Sequence, residues 1–398
     1  MDKEFISLYE NKSQCCGCTA CYTVCPVSAI KMISDDEGFK YPVIDIEKCI
    51  NCKKCLKVCG FKKSQNSIIQ NRDSNFPVVY AVKNKNFLSR QKSRSGGIFV
   101  VLSEYILKNT GIVYGCILDK DLKALHIRCD DIKSINKMQG SKYVQSDLKE
   151  CYGDVLKDLQ NGKKVLFSGT SCQIEGLLSF VPDKYKRLLL TIDIICHGVP
   201  SPRVLEDYLD WVENTYKSKC IEIDFRNKKK FGWDSHVETI KINSGKKINS
   251  KIYTRLFYSH LTVRPACYKC PYKSIYHIAD ITIGDYWGID NAAPGFDDNN
   301  GVSLVLINNK KGKEYFFKCK ENIDYVETKI ENSLQTPLIR PFDEPLNRYE
   351  FWSDYKKLSF DDIIIKYIYN GKKKLLFNFM AIKKEYIKKM ILKIKKRG

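Results

Sequence analysis

The sequence predicts a mixed α/β (α+β) protein. A small cysteine-rich unit comes first, then a larger domain on a mixed sheet covered by helices, then a basic amphipathic helix. Three observations point there. Two cysteine runs of identical spacing lie 34 residues apart within the first 62 residues. Between about Pro77 and Asn347, long apolar strands alternate with helical segments, the pattern of a sheet buried on both faces. Residues 351–398 hold 14 Lys and Arg against 4 Asp and Glu, nearly half of the chain's net charge of +21.

The first run is Cys15, Cys18, Cys21 and Cys25, spaced C-x2-C-x2-C-x3-C and followed by Pro26. The second is Cys49, Cys52, Cys55 and Cys59. This is the ligand pattern of a two-cluster bacterial ferredoxin domain, in which the fourth cysteine of each run ligates the other [4Fe–4S] cube. Cys15, Cys18, Cys21 and Cys59 are therefore expected on one cluster, and Cys49, Cys52, Cys55 and Cys25 on the second. Zinc sites use two C-x2-C pairs with no third cysteine in step. Disulfide scaffolds belong to short secreted domains, not to a chain of 398 residues. Gly60 stands where proline would follow Cys59, a minor loop change, and Cys16 is a spare beside a ligand. Residues 29–33 (AIKMI) and 41–45 (YPVID) flank a turn and predict a hairpin. This unit spans residues 1–62, and the polar stretch 63–76 is a linker.

The second domain, 77–347, opens on a strand at 77–83. Residues 95–111 predict a glycine-rich turn, an amphipathic helix and a glycine stop. A hairpin is expected from 112–118 and 124–129, and a helix over 146–163 with Ser146 as its cap. Residues 164–169 and 188–196 are buried-type strands, with a helix over 172–180 between them. Further strands are expected at 221–226, 236–242, 279–285 and 302–308.

Residues 348–398 form a basic helical tail. Ile382, Tyr386, Ile387, Met390, Ile391 and Ile394 share one helical stripe, and lysines fill the rest. Two readings stand side by side. One is a terminal helix docked on the core with a solvated lysine face. The other is contact with an anionic membrane surface, where each basic residue adds ~1 kcal/mol. No nucleic-acid partner is expected, because the basic residues are not interleaved with stacking aromatics on a recognisable module. The N-terminal segment MDKEFISLYE lacks a signal peptide's apolar stretch, and no apolar run reaches the ~18 residues of a membrane span. The expected location is the cytoplasm, where thiols stay reduced, or the inner face of the cell membrane if the tail binds there.

Four more cysteines sit where strands end. Cys172 lies at a helix start, whose dipole favours a thiolate. Cys196 ends the next long strand, and Cys267 and Cys270 form a C-x2-C loop. Two strand ends in one sheet bring Cys172 and Cys196 to the same rim, where the loop pair can complete a third metal site. The plainer reading is buried inert thiols, which is also the expectation for Cys116, Cys129, Cys151, Cys220 and Cys319.

In chain order, RSGGIF (94–99), QGSKYVQS (139–146), FSGTSCQIEGL (167–177), DIICHGVPSP (193–202), RPACYKCPY (264–272) and ADITIGDYWG (279–288) resemble the coenzyme F-420 hydrogenase/dehydrogenase beta-subunit family. With the ferredoxin unit in front, the resemblance covers residues 11–345. It implies a flavin-binding domain carrying FAD and a third [4Fe–4S] cluster, with Cys172, Cys196, Cys267 and Cys270 as ligands. It places flavin contacts at Ser95, Gly96 and Gly97, at Gly140, Ser141, Lys142, Tyr143 and Gln145, and at Gly169 and Thr170. Glycines at a helix start expose backbone N–H groups to a pyrophosphate, and Lys142 offers a charge to phosphate or reduced flavin. Asp285 and Trp287 are either structural or line the pocket. His197 is a candidate hydrogen-bond donor to cluster or flavin. No catalytic side chain is expected, since no Ser/His/Asp or HExxH arrangement is present.

The expected function is an oxidoreductase relay in an anaerobic, cytoplasmic setting. Single electrons pass through [4Fe–4S] clusters to FAD, which exchanges a hydride with a deazaflavin-type coenzyme or another small acceptor. The partner is a redox protein or that small acceptor. The alternative is an electron-carrier subunit, or a membrane-surface partner in surface-polysaccharide biosynthesis, without substrate chemistry of its own.

Overall fold

Residues 7–60 and 73–369 are described by the computed structural model of the chain. Most of the expected linker, and the helical stripe at 382–394, lie outside the described residues.

The N-terminal unit is built twice from one local pattern. Gly17 and Asn51 both have positive φ, 71° and 53°, and so do Thr19 and Lys53, 62° and 56°. Each pair is 34 residues apart and brackets the second cysteine of its run. Thr19 and Lys53 then start matching one-turn helices, Ala20–Thr23 and Lys54–Lys57. Between them lies the expected hairpin, β1 (Ile30–Ser34) and β2 (Lys40–Ile44), antiparallel with Ile30 opposite Ile44.

The larger domain holds β3 (Val78–Asn84), β4 (Ile112–Leu118), β5 (Ala124–Cys129), β6 (Val165–Thr170), β7 (Leu189–Ile194), β8 (Cys220–Asp224), β9 (Glu238–Ile242), β10 (Lys247–Ser250), β11 (Ile281–Asp285), β12 (Ser303–Ile307) and β13 (Ile323–Thr328). Eight of these form one sheet in the order β13-β3-β12-β11-β7-β6-β4-β5. Its centre, β11-β7-β6-β4, is parallel, and both flanks are antiparallel. The central strands are buried on both faces, which explains their continuous apolar runs. One face packs on the helix Ile98–Lys108, through Val101 and Leu102. The other packs on Tyr152, Ile174 and Leu177 from the helices Cys151–Gln160 and Ser171–Phe180.

Two expectations change. The strands near 221–226 and 236–242 do not join the main sheet. As β8 and β9 they pair with β10 in a separate antiparallel sheet, because Ile240 and Ile242 pack against the helix Pro202–Tyr216 and the helices Arg348–Tyr355 and Phe360–Tyr367. Those last two helices, the described part of the tail, therefore belong to the core. The helix expected from Ser146 starts only at Cys151. Asp147 exchanges backbone hydrogen bonds with the β5 strand instead, and Ser146 Oγ accepts from Gln173 Nε2 at 3.0 Å.

The N-terminal unit shares the core of the larger domain. Ala20 and Val58 are buried in the same apolar cluster as Tyr152, Phe167 and Leu177. Polar ties surround that contact: Lys40 pairs with Asp147 at 2.7 Å, Arg203 Nη1 donates to Asp36 O at 2.7 Å, and Arg348 forks onto the Glu37 carboxylate. Gly38 (φ 84°) lies so close to Arg203 that a Cβ would stand 2.6 Å from its side chain.

Candidate functional site

The fold brings the first eight cysteines into two groups. Cys15, Cys18, Cys21 and Cys59 act on one another electrostatically; burial, then those neighbours, push the Cys21 thiol well up. Cys25, Cys49, Cys52 and Cys55 ring a small cavity with Val27, Ile30 and Ile44. All are free thiols. Among the described residues, no group of three or more His, Cys, Asp or Glu converges tightly enough for a single metal ion. Four cysteines in each group match the ligand number of a four-iron cube.

The carboxyl ends of parallel β6 and β7 create the next group. Such ends form the crevice where open α/β sheets bind ligands. Cys172 sits in the first turn of the helix after β6, and Cys196 just beyond β7. Cys267 and Cys270 come from the 3-10 turn Pro265–Lys269 and its end. All four line one cavity, together with Cys16, Arg264, Lys273 and His277. Burial pushes the Cys267 thiol up to about 12 and raises Cys196 and Cys270 as well. Cys172 is held down at about 7 by the Cys16 thiol, by the Thr170 hydroxyl (3.1 Å) and by the Arg264 charge. Four half-buried thiols around one cavity match the ligand number of a [4Fe–4S] cluster.

Cys16 is more than a spare. Its thiol, pushed well up by its neighbours, lies beside both Cys18 of the N-terminal unit and Cys172 of the larger domain. Beside it, Gly176 brings the helix Ser171–Phe180 against Cys18; a Cβ there would stand 2.8 Å from the Cys18 sulfur.

A large cleft runs along the same rim. Of the expected flavin contacts, Ser95, Gly97, Gly140, Ser141, Lys142, Tyr143, Gln145, Gly169 and Thr170 all line it. Gly96 does not: its Cβ would meet Val82 O at 2.0 Å, so sheet packing requires glycine there. Gly97 (φ 86°) caps the helix Ile98–Lys108. Gly140 (φ 77°) opens on free space. Lys142 is half-buried, and its ammonium donates to the carbonyls of Met138 and Gln139 at 2.8 Å each, with Lys137 O and Gly140 O close by. Burial lowers it to about 8. Gln145 bridges the two domains, donating to Cys16 O at 3.0 Å and accepting from Arg264 Nη1 at 2.9 Å.

The far wall holds residues that motif reading did not single out. Arg226 pairs with Asp285 at 2.7 Å and lies over the Trp287 ring, which stacks on Trp233 at 4.9 Å. Arg94 donates to Arg226 O at 3.2 Å, while its Nε and Nη2 are buried without a hydrogen-bond partner among the described residues. A glycine-serine turn at a helix start, open space at Gly140 and a guanidinium with spare N–H groups fit a ligand with phosphates, as FAD has. His197 meets Tyr258 edge-on at 6.1 Å and Phe342 at 5.7 Å. Burial, then the Lys273 charge, hold His197 down at about 3, and burial holds His236 at about 4. Both imidazoles are therefore neutral at pH 7. Arg94 sits in the quoted RSGGIF segment, whereas nothing in the local sequence marks Arg226.

Residues 162–333 match the family described as the C terminus of the coenzyme F420 hydrogenase/dehydrogenase beta subunit, and residues 14–63 match a 4Fe-4S dicluster domain. An uncharacterized ferredoxin of Methanocaldococcus jannaschii is 37% identical over 54 residues, 14% of this chain and 69% of that protein. Among solved structures, a chain of the F420-reducing [NiFe] hydrogenase complex from Methanosarcina barkeri aligns over 65% of this chain and 85% of its own length. The identity is 18% and the TM-score 0.46.

Proposed function

We propose a three-cluster electron relay ending at a flavin for this chain, which belongs through residues 162–333 to the coenzyme F420 hydrogenase/dehydrogenase beta-subunit family and carries a 4Fe-4S dicluster domain at residues 14–63. The family makes it an iron–sulfur oxidoreductase. The finer reading is that electrons enter or leave singly at the ferredoxin domain and are exchanged in pairs, as hydride, with a deazaflavin-type coenzyme or another small acceptor.

One observation carries this reading. The cysteine-ringed cavity and the cleft share a wall, formed by Cys16, Thr170, Cys172, Cys196, Gly198 and Val199. A cluster on one side and a flavin on the other would be separated by little more than one layer of side chains. Bound in the cleft, FAD supplies the conversion between one-electron and two-electron chemistry. Cys172, Cys196, Cys267 and Cys270 would hold the cluster. The Ser95–Gly97 turn presents backbone N–H groups, and Arg94 its spare guanidinium donors, to a phosphate. Trp287, Tyr258 and Tyr143 wall the cleft against water, and the neutral imidazole of His197 faces it without adding charge. Burial and hydrogen bonds to sulfur set the potentials.

Anaerobic reductive titration of the purified chain tests the reading. Visible and EPR spectra should show flavin bleaching alongside cluster signals. In Cys172→Ser, the ferredoxin clusters and the flavin should remain while the third cluster signal disappears, and electrons given to the ferredoxin domain should no longer reach the flavin. A chain with clusters and no flavin absorbance is instead an electron carrier without chemistry of its own.

A further inference from the structure

Arg264 is completely buried, yet among the described residues no carboxylate lies within ion-pair distance of it. The other buried arginines are all paired: Arg90 with Asp298, Arg226 with Asp285, Arg348 with Glu37. A buried charge is costly unless something of opposite sign stands by it. Arg264 instead donates from Nε to Cys15 O at 2.7 Å, from Nη1 to Gln145 Oε1 at 2.9 Å, and from Nη2 to Lys40 O at 3.0 Å and the Cys15 sulfur at 3.8 Å. The Tyr41 ring faces it at 4.1 Å. The chain also carries it to the third group of cysteines. It caps the 3-10 turn that carries Cys267, and its side chain lines the cavity ringed by Cys172, Cys196, Cys267 and Cys270. Room was made for it: a Cβ on Gly17 would stand 2.9 Å from Nη1.

We infer that the absent counter-charge is the iron–sulfur clusters themselves, and that Arg264 is a cationic spacer that raises the reduction potentials of the two clusters flanking it. The inference rests on the three-cluster reading above. Each [4Fe–4S] centre with four thiolates is anionic, and gains a further negative charge on reduction. A fixed positive charge in a low-dielectric interface favours the reduced form of both neighbours. The N–H donor on the Cys15 sulfur acts in the same direction, since hydrogen bonds to sulfur tune cluster potentials. When one electron leaves the first cluster and arrives at the third, it remains beside the same guanidinium, which stays protonated throughout. The spacer thus shifts both potentials in the same direction. Arg264 is a positioning residue, because it touches a ligand sulfur and no substrate.

The test is an EPR-monitored potentiometric titration of the anaerobically purified full-length chain, with Arg264→Gln and Arg264→Lys beside it and iron counted in each. In Arg264→Gln, the two flanking clusters should become at least tenfold harder to reduce, about 59 mV for one electron. Arg264→Lys, which keeps the charge and loses the fork, should shift them less in the same direction. The cluster of Cys25, Cys49, Cys52 and Cys55, which Arg264 does not touch, should not move. If Arg264→Gln fails to take up iron, Arg264→Lys decides. A fully loaded variant with three unmoved potentials, or with all three shifted together, overturns the spacer and leaves the relay standing. A wild-type chain with about eight irons overturns the relay, and the spacer with it.

Discussion

Arg226 holds the far wall of the cleft through one guanidinium that pairs with Asp285 and donates to Ser235 O and Trp233 O at 3.2 and 3.0 Å. Arg226→Met would take away the 2.7 Å partner of the Asp285 carboxylate and leave it only Arg94 at 3.9 Å, and equilibrium denaturant unfolding should show a loss of about 1–3 kcal/mol. Lys142 makes a similar case. Its ammonium closes the carbonyl end of the helix Ile132–Met138, so Lys142→Met leaves half-buried carbonyls without that donor. Thermal or denaturant unfolding should register about 1–3 kcal/mol of destabilisation. Its sequence context read as a phosphate or flavin charge; in the fold its protons are committed to backbone. The cysteines were legible at this scale because their spacing alone defines a loop that wraps a cube. Arg226, Arg264 and Cys16 were not, because their roles come from partners far away in sequence. Cys15 and Arg264 are 249 residues apart.

Elements were legible where the chain signals them locally. Both hairpins, β1–β2 and β4–β5, followed from turn residues between apolar runs, and the central parallel strands from their length and unbroken apolar character. Two edge strands escaped. β10 has only four residues, and β13 is exposed along most of its length, so neither gives a sustained apolar signal. Alternation in β9 also cannot say which sheet it joins, since a separate small sheet buries one face just as the main sheet does. The helix Ser171–Phe180 is the element on which the two domains meet. Gly176→Val would drive a side chain into the Cys18 sulfur, 2.8 Å from the added Cβ. The outcome expected is a folded larger domain with its N-terminal unit displaced. Limited proteolysis should then separate the N-terminal unit from the larger domain faster than in the wild type, and spectroscopy should show the Cys15, Cys18, Cys21 and Cys59 cluster impaired. An unchanged digestion pattern with intact clusters would remove this helix from the docking account.

At the scale of the whole molecule, sequence separates a cysteine-rich head from a sheet domain, whereas the fold joins them through one apolar cluster and a ring of polar ties. That union places Cys16, next in the chain to a ferredoxin-run cysteine, on the wall of the cavity next to the cleft. Among the described residues no helix is long and apolar enough to cross a membrane. The described part of the C-terminal segment packs Phe351, Trp352, Ile363 and Ile364 into the core. Truncation before residue 348 should therefore unfold the β8–β10 layer, read as a lowered thermal transition. The central claim is that twelve of the chain's cysteines hold three iron cubes leading to a flavin. Iron, acid-labile sulfide and flavin measured per chain after anoxic reconstitution address it most directly. About twelve irons, a matching sulfide content and one FAD are expected from four irons per cube. About eight irons with no flavin would contradict the account.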